Sequence, residues 1–256
     1  MRRSSNQIFG IKLSTLTKRE IVGHLLLQPH PGMGVRLVAT ANLDHVVTLR
    51  KDRLFRESYR RAWLVTADGA PIFAYARLLG IPVPERVTGA DLINELAEKL
   101  SPGLHRLFFV TSTDQVARRT EATFLGKGFQ PGEVICVVAR RGLQPDQALG
   151  DELAEMITRH APTHLVIAIG ACQGQSWLAN CGELGDLYAL CVGAALEFHL
   201  GLKPRAPHWL RRVGLEWLWR VAMEPKRLAG RYFVASWGFL PAIIADLRTR
   251  GERPTR

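Results

Sequence analysis

Arg106-Leu-Phe-Phe-Val-Thr111, then Asp114-Gln-Val-Ala-Arg-Arg-Thr-Glu-Ala-Thr-Phe-Leu125, then Glu133-Val-Ile-Cys-Val-Val138: two short runs of β-branched and aromatic residues stand on either side of a helical pattern. That order is the signature of a βαβ unit and hence of a mostly parallel sheet. The alternation continues outward in both directions. Further strands are predicted over 36–41, 62–66, 164–169 and 187–192, and further helices over 17–27, 43–60, 71–79, 90–100 and 145–160. Thr17 with Glu20 three residues on reads as a capping box. The expected fold is a Rossmann-like α/β layer structure, with helices on both faces of the sheet.

Ligands of open parallel sheets bind beyond the carboxyl ends of the strands. The residues just after each predicted strand therefore matter most. They are Thr40-Ala-Asn42, Ala67-Asp68-Gly69, Thr111-Ser-Thr113, Gly170 to Gln175, and Gly193. They are small, polar or acidic, as the floor of a cleft requires.

From Leu196 onward the strand and helix rhythm stops. A boundary near Gly201 divides a core, residues 1–200, from a C-terminal appendage, residues 201–256. Between Arg205 and Arg256 stand eleven Lys/Arg against four Asp/Glu, a net of +7 out of +11 for the whole chain, and four of the six tryptophans. Basic residues interleaved with Trp, Leu and Phe suit an anionic surface with an apolar boundary. Trp209, Arg211, Arg212 and Trp217 are the expected docking residues. The apolar run from Phe233 to Ala245, broken by Gly238 and Pro241, is shorter than the ~18–20 residues of a spanning helix. A solvated helical face and a nucleic-acid groove would use similar composition. Against the second, residues 1–204 carry a net charge of only +4, and no nucleic-acid-binding motif appears, so no nucleic acid is expected.

The first residues have the charge of a leader but lack a continuous apolar stretch, so a cytoplasmic protein is expected. The four cysteines show no C-x-x-C spacing and read as structural, two of them as small buried side chains inside strand-like runs. No G-x-G-x-x-G, no phosphate-loop motif, no D-x-D and no H-E-x-x-H occurs, so no cofactor and no metal is expected, and any diphosphate would be held by arginines. Asp68 is the candidate catalytic carboxylate, at a strand end and followed by a flexible glycine. An ordinary turn, or a cap on the next helix, would use the same residues. Arg86 is a second candidate, with a surface arginine as its alternative.

Asn42, Asp68-Gly69, Pro84-Glu-Arg-Val-Thr-Gly-Ala-Asp91, Gly193-Ala-Ala-Leu-Glu-Phe198 and the string Arg205-Ala-Pro-His-Trp through Gly214-Leu-Glu-Trp-Leu-Trp-Arg220 to Glu224-Pro-Lys-Arg227 together resemble the WecG/TagA/CpsF glycosyltransferases, glycosyltransferase family 26. The resemblance implies a metal-independent, inverting transferase that moves a sugar from a UDP donor to a polyprenyl-diphosphate-linked sugar in bacterial surface-polymer synthesis. It also implies peripheral attachment to the cytoplasmic face of the inner membrane. By this likeness Asp68 matches the general base, Thr40 and Asn42 a substrate-binding T-x-N, and Arg86 an active-site arginine. Arg220 and Arg227, with Arg231 as a further basic residue, match the group that closes over the donor diphosphate. Family members usually carry G-x-P-K-Q-E after the fifth strand, where this chain reads Gly170-Ala-Cys-Gln-Gly-Gln175. Gly174 thus stands for Gln and Gln175 for Glu, and Gln175 is an expected substrate-binding residue. The departure points to a donor other than UDP-N-acetylmannosamine, or to a silent family member. A homo-oligomer is compatible with all of this.

Overall fold

The computed structural model describes residues 6–139, 143 and 148–251. Six parallel strands form the central sheet: β3 (Val35–Ala41), β4 (Leu64–Ala67), β5 (Leu107–Thr111), β6 (Val134–Val138), β7 (His164–Ala168) and β8 (Leu187–Cys191), in the spatial order β4-β3-β8-β7-β5-β6. These are the six strands expected from the sequence. A hairpin precedes them, β1 (Gln7–Ile8) paired with β2 (Ile11–Lys12). Its two turn residues, Phe9 and Gly10, both have positive φ, the geometry whose twist matches a two-residue hairpin.

Helices cover both faces. In chain order these are α1 (Lys18–Leu25), α2 (Leu43–Leu49), α3 (Arg53–Arg61), α4 (Ala70–Leu78), α5 (Gly89–Lys99), α6 (Asp114–Leu125), α7 (Ala148–His160), α8 (Ala171–Asn180) and α9 (Ala195–His199). The capping box of Thr17 and Glu20 is present at α1. The helix expected over 43–60 is two helices. Asp52 accepts a hydrogen bond from the Phe55 N–H and caps α3, while the Arg56 Nε donates to the Leu49 carbonyl at 2.7 Å and closes α2. The polar Arg50-Lys51-Asp52 stretch serves both ends at once. The first residues of the helix expected over 145–160 lie outside the described residues.

The glycine-bearing stretch after β7 is the start of α8. Gly170 is its N-cap, and a Cβ on Gly174 would meet Ile167 Cγ2 at 2.6 Å. The glycine lets helix and sheet approach closely.

Three helices make up the C-terminal segment: α10 (His208–Arg212), α11 (Glu216–Met223) and α12 (Pro225–Gly251). Gly238 and Pro241 do not break α12, which at 27 residues is ~40 Å long. Gly238 rests on α2, where a Cβ would meet Val47 Cγ2 at 2.8 Å. Pro241 is exposed, and its missing N–H costs a helix bond only on the solvent side. Buried Phe239 and Ala242 join the core of α2, α4 and the hairpin. Asp246 accepts from the Phe9 N–H at 2.6 Å and from the Tyr75 hydroxyl at 2.9 Å. On the opposite side Phe233, Trp237, Leu240, Ile244 and Leu247 are exposed, and their alternating spacing of four and three places them on one face. Among the described residues, no helix is long and apolar enough to cross a membrane.

Candidate active site

A cleft of about 240 Å³ lies beyond the carboxyl ends of β3, β4 and β8. Asn42, Asp44, Asp68 to Pro71, and Val192 form its floor, Arg86 and Thr88 to Ala90 one wall, and Gly214, Glu216, Trp217 and Arg220 its cover. Core and appendage thus share one cavity. They meet tightly at Gly214, where a Cβ would come within 2.5 Å of the Ala70 Cβ.

Asp68 is held by its main chain. Its N–H donates to the Ala41 carbonyl at 2.9 Å, as does that of Gly69 at 3.3 Å, so the turn after β4 is tied to the end of β3. Its half-buried carboxyl titrates at about 6. Burial disfavours the charged form most, and the negative charge of Glu216 adds to this, against the opposing pull of Arg86 and Arg220. The chain after Pro84 is pinned to β4 by Thr66 Oγ1 donating to the Val87 carbonyl and by the Val87 N–H donating to the Ala67 carbonyl. That tether places Arg86. Its Nη1 donates to the Asp68 carbonyl at 3.2 Å, and its Nη2 to the Arg211 carbonyl at 3.0 Å.

Asn42 caps α2, its Oδ1 accepting from the His45 N–H at 3.1 Å. Its Nδ2 lies 3.4 Å from His45 Nε2, and His45 Nδ1 lies 2.8 Å from the Tyr59 hydroxyl. With its oxygen committed to the cap and its amide nitrogen beside His45, Asn42 lines the cleft next to Leu43 and Asp44. Thr40, by contrast, is buried in β3 and lines no part of the cleft. Its hydroxyl lies beneath Gly89, 3.7 Å from where a Cβ would stand.

Gln175 is also outside the cleft. It is fully buried on α8, where its Oε1 accepts from Ser58 of α3 at 3.4 Å. Close seating of Gly174 on Ile167 fixes the rotation of α8 and turns the next side chain into the interface with α3. At 174 and 175 this chain's residues serve the packing of α8, and neither lines the cleft.

In the appendage, Arg220 stands 5.6 Å from the centre of the Phe198 ring and reaches the cleft. Arg227 and Arg231 are on α12, and their side chains lie outside the described residues. Trp209 and Arg212 are exposed, and Trp217 both lines the cleft and meets solvent. Arg211 is engaged, its Nε donating to the Ala206 carbonyl at 3.0 Å.

Glu216 and Arg205 went unmarked as site residues in the sequence. Arg205 binds Asp91 at 2.6 Å and Glu216 at 3.5 Å. Asp91 also closes the Thr88 capping box at the start of α5. Burial raises its pKa, but the hydrogen bonds from Arg205 and Thr88 outweigh that and hold it below the usual carboxylate range. The available signal was an acid, Glu216, between the basic Arg205 to Arg212 stretch and Arg220. Among the described residues, no group of three or more His, Cys, Asp or Glu side chains is placed to hold a metal ion.

The Glycosyl transferase WecG/TagA/CpsF family model matches residues 6–253. The chain belongs to this glycosyltransferase family. It is 23% identical over 193 residues to the N-acetylglucosaminyldiphosphoundecaprenol N-acetyl-beta-D-mannosaminyltransferase of Staphylococcus aureus strain MW2, covering 75% of this chain and 73% of that one. The proteins of the same name from strains NCTC 8325 and MRSA252 are 22% identical over the same shares. This WecG/TagA/CpsF member therefore carries its cleft where the sheet fold puts ligands, with an acid at the floor and arginines above it.

Proposed function

We propose that the chain is an inverting transferase that moves a sugar from a UDP donor to a sugar carried on a polyprenyl diphosphate. The observation that carries this reading is Asp68: a carboxylate at a strand end, titrating at about 6, in a cleft shared with Arg86 and Arg220. A base with that proton affinity is ionised at neutral pH yet strong enough to take a hydroxyl proton. Asp68 removes the proton of the acceptor hydroxyl as its oxygen attacks the anomeric carbon from the face opposite the nucleotide. The bond from that carbon to the diphosphate oxygen breaks, and UDP departs with the bonding pair. Arg220, together with Arg227 and Arg231 from α12, meets the developing charge, since a guanidinium can fork two hydrogen bonds to phosphate oxygens. Asn42 and Arg86 orient the substrates.

The acceptor named for the relatives from Staphylococcus aureus is a lipid-linked diphosphate sugar. On this reading the enzyme works at a membrane surface. The face of Phe233, Trp237, Leu240, Ile244 and Leu247, exposed along α12, supports docking there, and Trp209 and Arg212 of α10 are exposed as well. Residues 1–200 serve as the catalytic core, and residues 201–256 both cover the cleft and dock the lipid surface on the cytoplasmic side.

The reading is tested with purified protein, UDP-sugars and a short-chain polyprenyl-diphosphate sugar. Asp68→Asn should lower turnover by ~10²–10⁴-fold, as loss of a general base does. Wild-type turnover in that variant would remove Asp68 from the role. Transfer should also survive exhaustive EDTA treatment, because arginines stand where a metal would otherwise offset the phosphate charge. Loss of activity to EDTA with recovery on adding magnesium would overturn the arginine account.

A further inference from the structure

Glu216 is an acid in a cleft read as holding a nucleoside diphosphate, where a carboxylate repels the ligand unless it serves another purpose. Its side chain is only 14% exposed. Arg205 holds it at 3.5 Å, and Arg205 is itself anchored on Asp91 of α5 at 2.6 Å. The other carboxylate oxygen lies 3.9 Å from Arg86 Nη1. That same nitrogen donates to the Asp68 carbonyl at 3.2 Å. One guanidinium therefore joins the turn of the candidate base, the main chain of α10 through Arg211, and the acid of α11.

We propose that Glu216 is a positioning residue for sugar transfer: anchored by Arg205, it steadies Arg86 at the seam between core and appendage and sets a second negative charge beside Asp68. The proposal rests on the reading of Asp68 as the base. Asp68 is faced by Arg86 from the segment before α5, by Glu216 and Arg220 from α11, by Asp91 from α5 and by Tyr59 from α3, with Asp44 of α2 on the same cleft. After burial, Glu216 contributes most to holding the Asp68 proton, and Arg86 and Arg220 oppose it. An ordinary aspartate is a feeble base, and proton affinity near the working pH makes a better one. Because Glu216 arrives on α11, Asp68 reaches its full basicity only when the appendage is seated.

The test is Glu216→Gln in the full chain, which keeps shape and hydrogen bonding while removing the charge. Two measurements are made: the pH–rate profile of transfer from the UDP-sugar to the short-chain acceptor, and the carboxyl titration of Asp68 by NMR of ¹³C-aspartate-labelled protein, assigned by difference from Asp68→Asn. The acid limb and the Asp68 titration should both move to lower pH by about one unit, with kcat on the plateau falling about tenfold. Glu216→Asp should restore the titration in large part. An Asp68 titration unchanged in Glu216→Gln overturns the proposal, as does a shifted titration with an unaltered rate at every pH. If Glu216→Gln does not fold, Arg205→Gln frees the anchor, and the acid limb should move the same way; an unmoved limb again overturns it. Should Asp68→Asn retain transfer, the base assignment fails by itself, while the NMR titration still reports whether Glu216 acts on Asp68.

Discussion

Asp68 carries a cost beside its proposed role. A carboxyl that titrates at about 6 in the folded chain and near 3.8 when unfolded is harder to ionise once folded. The sign is opposite to that of a paired aspartate. The folded state loses stability as pH rises from about 4 to about 6, and the loss is constant above that window. Asp68→Asn should therefore be more stable than the wild type at pH 7.5, by on the order of 1–3 kcal/mol after allowance for its partial exposure. The difference should vanish below pH 4, and urea unfolding at both pH values checks it. Activity runs the other way, with wild-type turnover falling as pH drops through 6. Stability and chemistry are set against each other by one side chain, and sequence alone could show only its place at a strand end. The proton affinity comes from burial and from Glu216, which is remote in the chain.

At the scale of elements, the strands were legible because each is a short, mostly apolar run closed by small or polar residues. The helix that begins at Ala171 was not legible in the stretch Gly170 to Gln175 for a local reason. Two glycines in five residues look like a turn when nothing reveals that Ile167 presses on one of them. Replacing Gly174 by Gln, the usual family residue, should drive its Cβ into Ile167. Overpacking of this kind costs about 1–3 kcal/mol, and Ile167→Ala in the same chain should recover part of it. Thermal denaturation of the single and double variants checks this. Equal stability of Gly174→Gln and wild type would show that α8 sits more loosely than the contact implies. The split of α2 from α3 was likewise hidden, since Arg50-Lys51-Asp52 is compatible with an uninterrupted helix until Arg56 is seen folding back on Leu49.

For the whole molecule, the appendage is bound to the core over two separate regions. α11 covers the cleft, and α12 lies on α2 and the hairpin with Phe239 and Ala242 buried. The lipid-facing proposal is therefore best tested on the exposed side of α12, leaving the buried side intact. Trp237→Glu with Leu240→Glu should abolish sedimentation with anionic liposomes while leaving the melting temperature within a few degrees. Transfer to a water-soluble acceptor analogue should persist, and transfer to an acceptor embedded in vesicles should fall. Unchanged liposome binding would reduce the stripe to an ordinary solvent face. The sequence located this segment by charge and tryptophan content, but its two-sided helix emerged only once Gly238 was seen to be a packing position rather than a break.

The seam at Arg86 also bears on how the protein is made. The floor of the cleft is translated early, and Glu216 and Arg220 follow only after every strand of the sheet has left the ribosome. Domains fold as they emerge, so with β8 ending at Cys191 and α11 beginning at Glu216 a nascent chain at about 5–20 residues per second spends on the order of seconds with its strands made and its cover still to come. During that interval Arg86 has neither Arg211 nor Glu216 to bind, and Asp68 lacks the neighbouring charge of Glu216. The cleft is thereby completed by the distal segment: a chain interrupted before α11 would carry the sheet and the candidate base without the Glu216 and Arg220 that cover them.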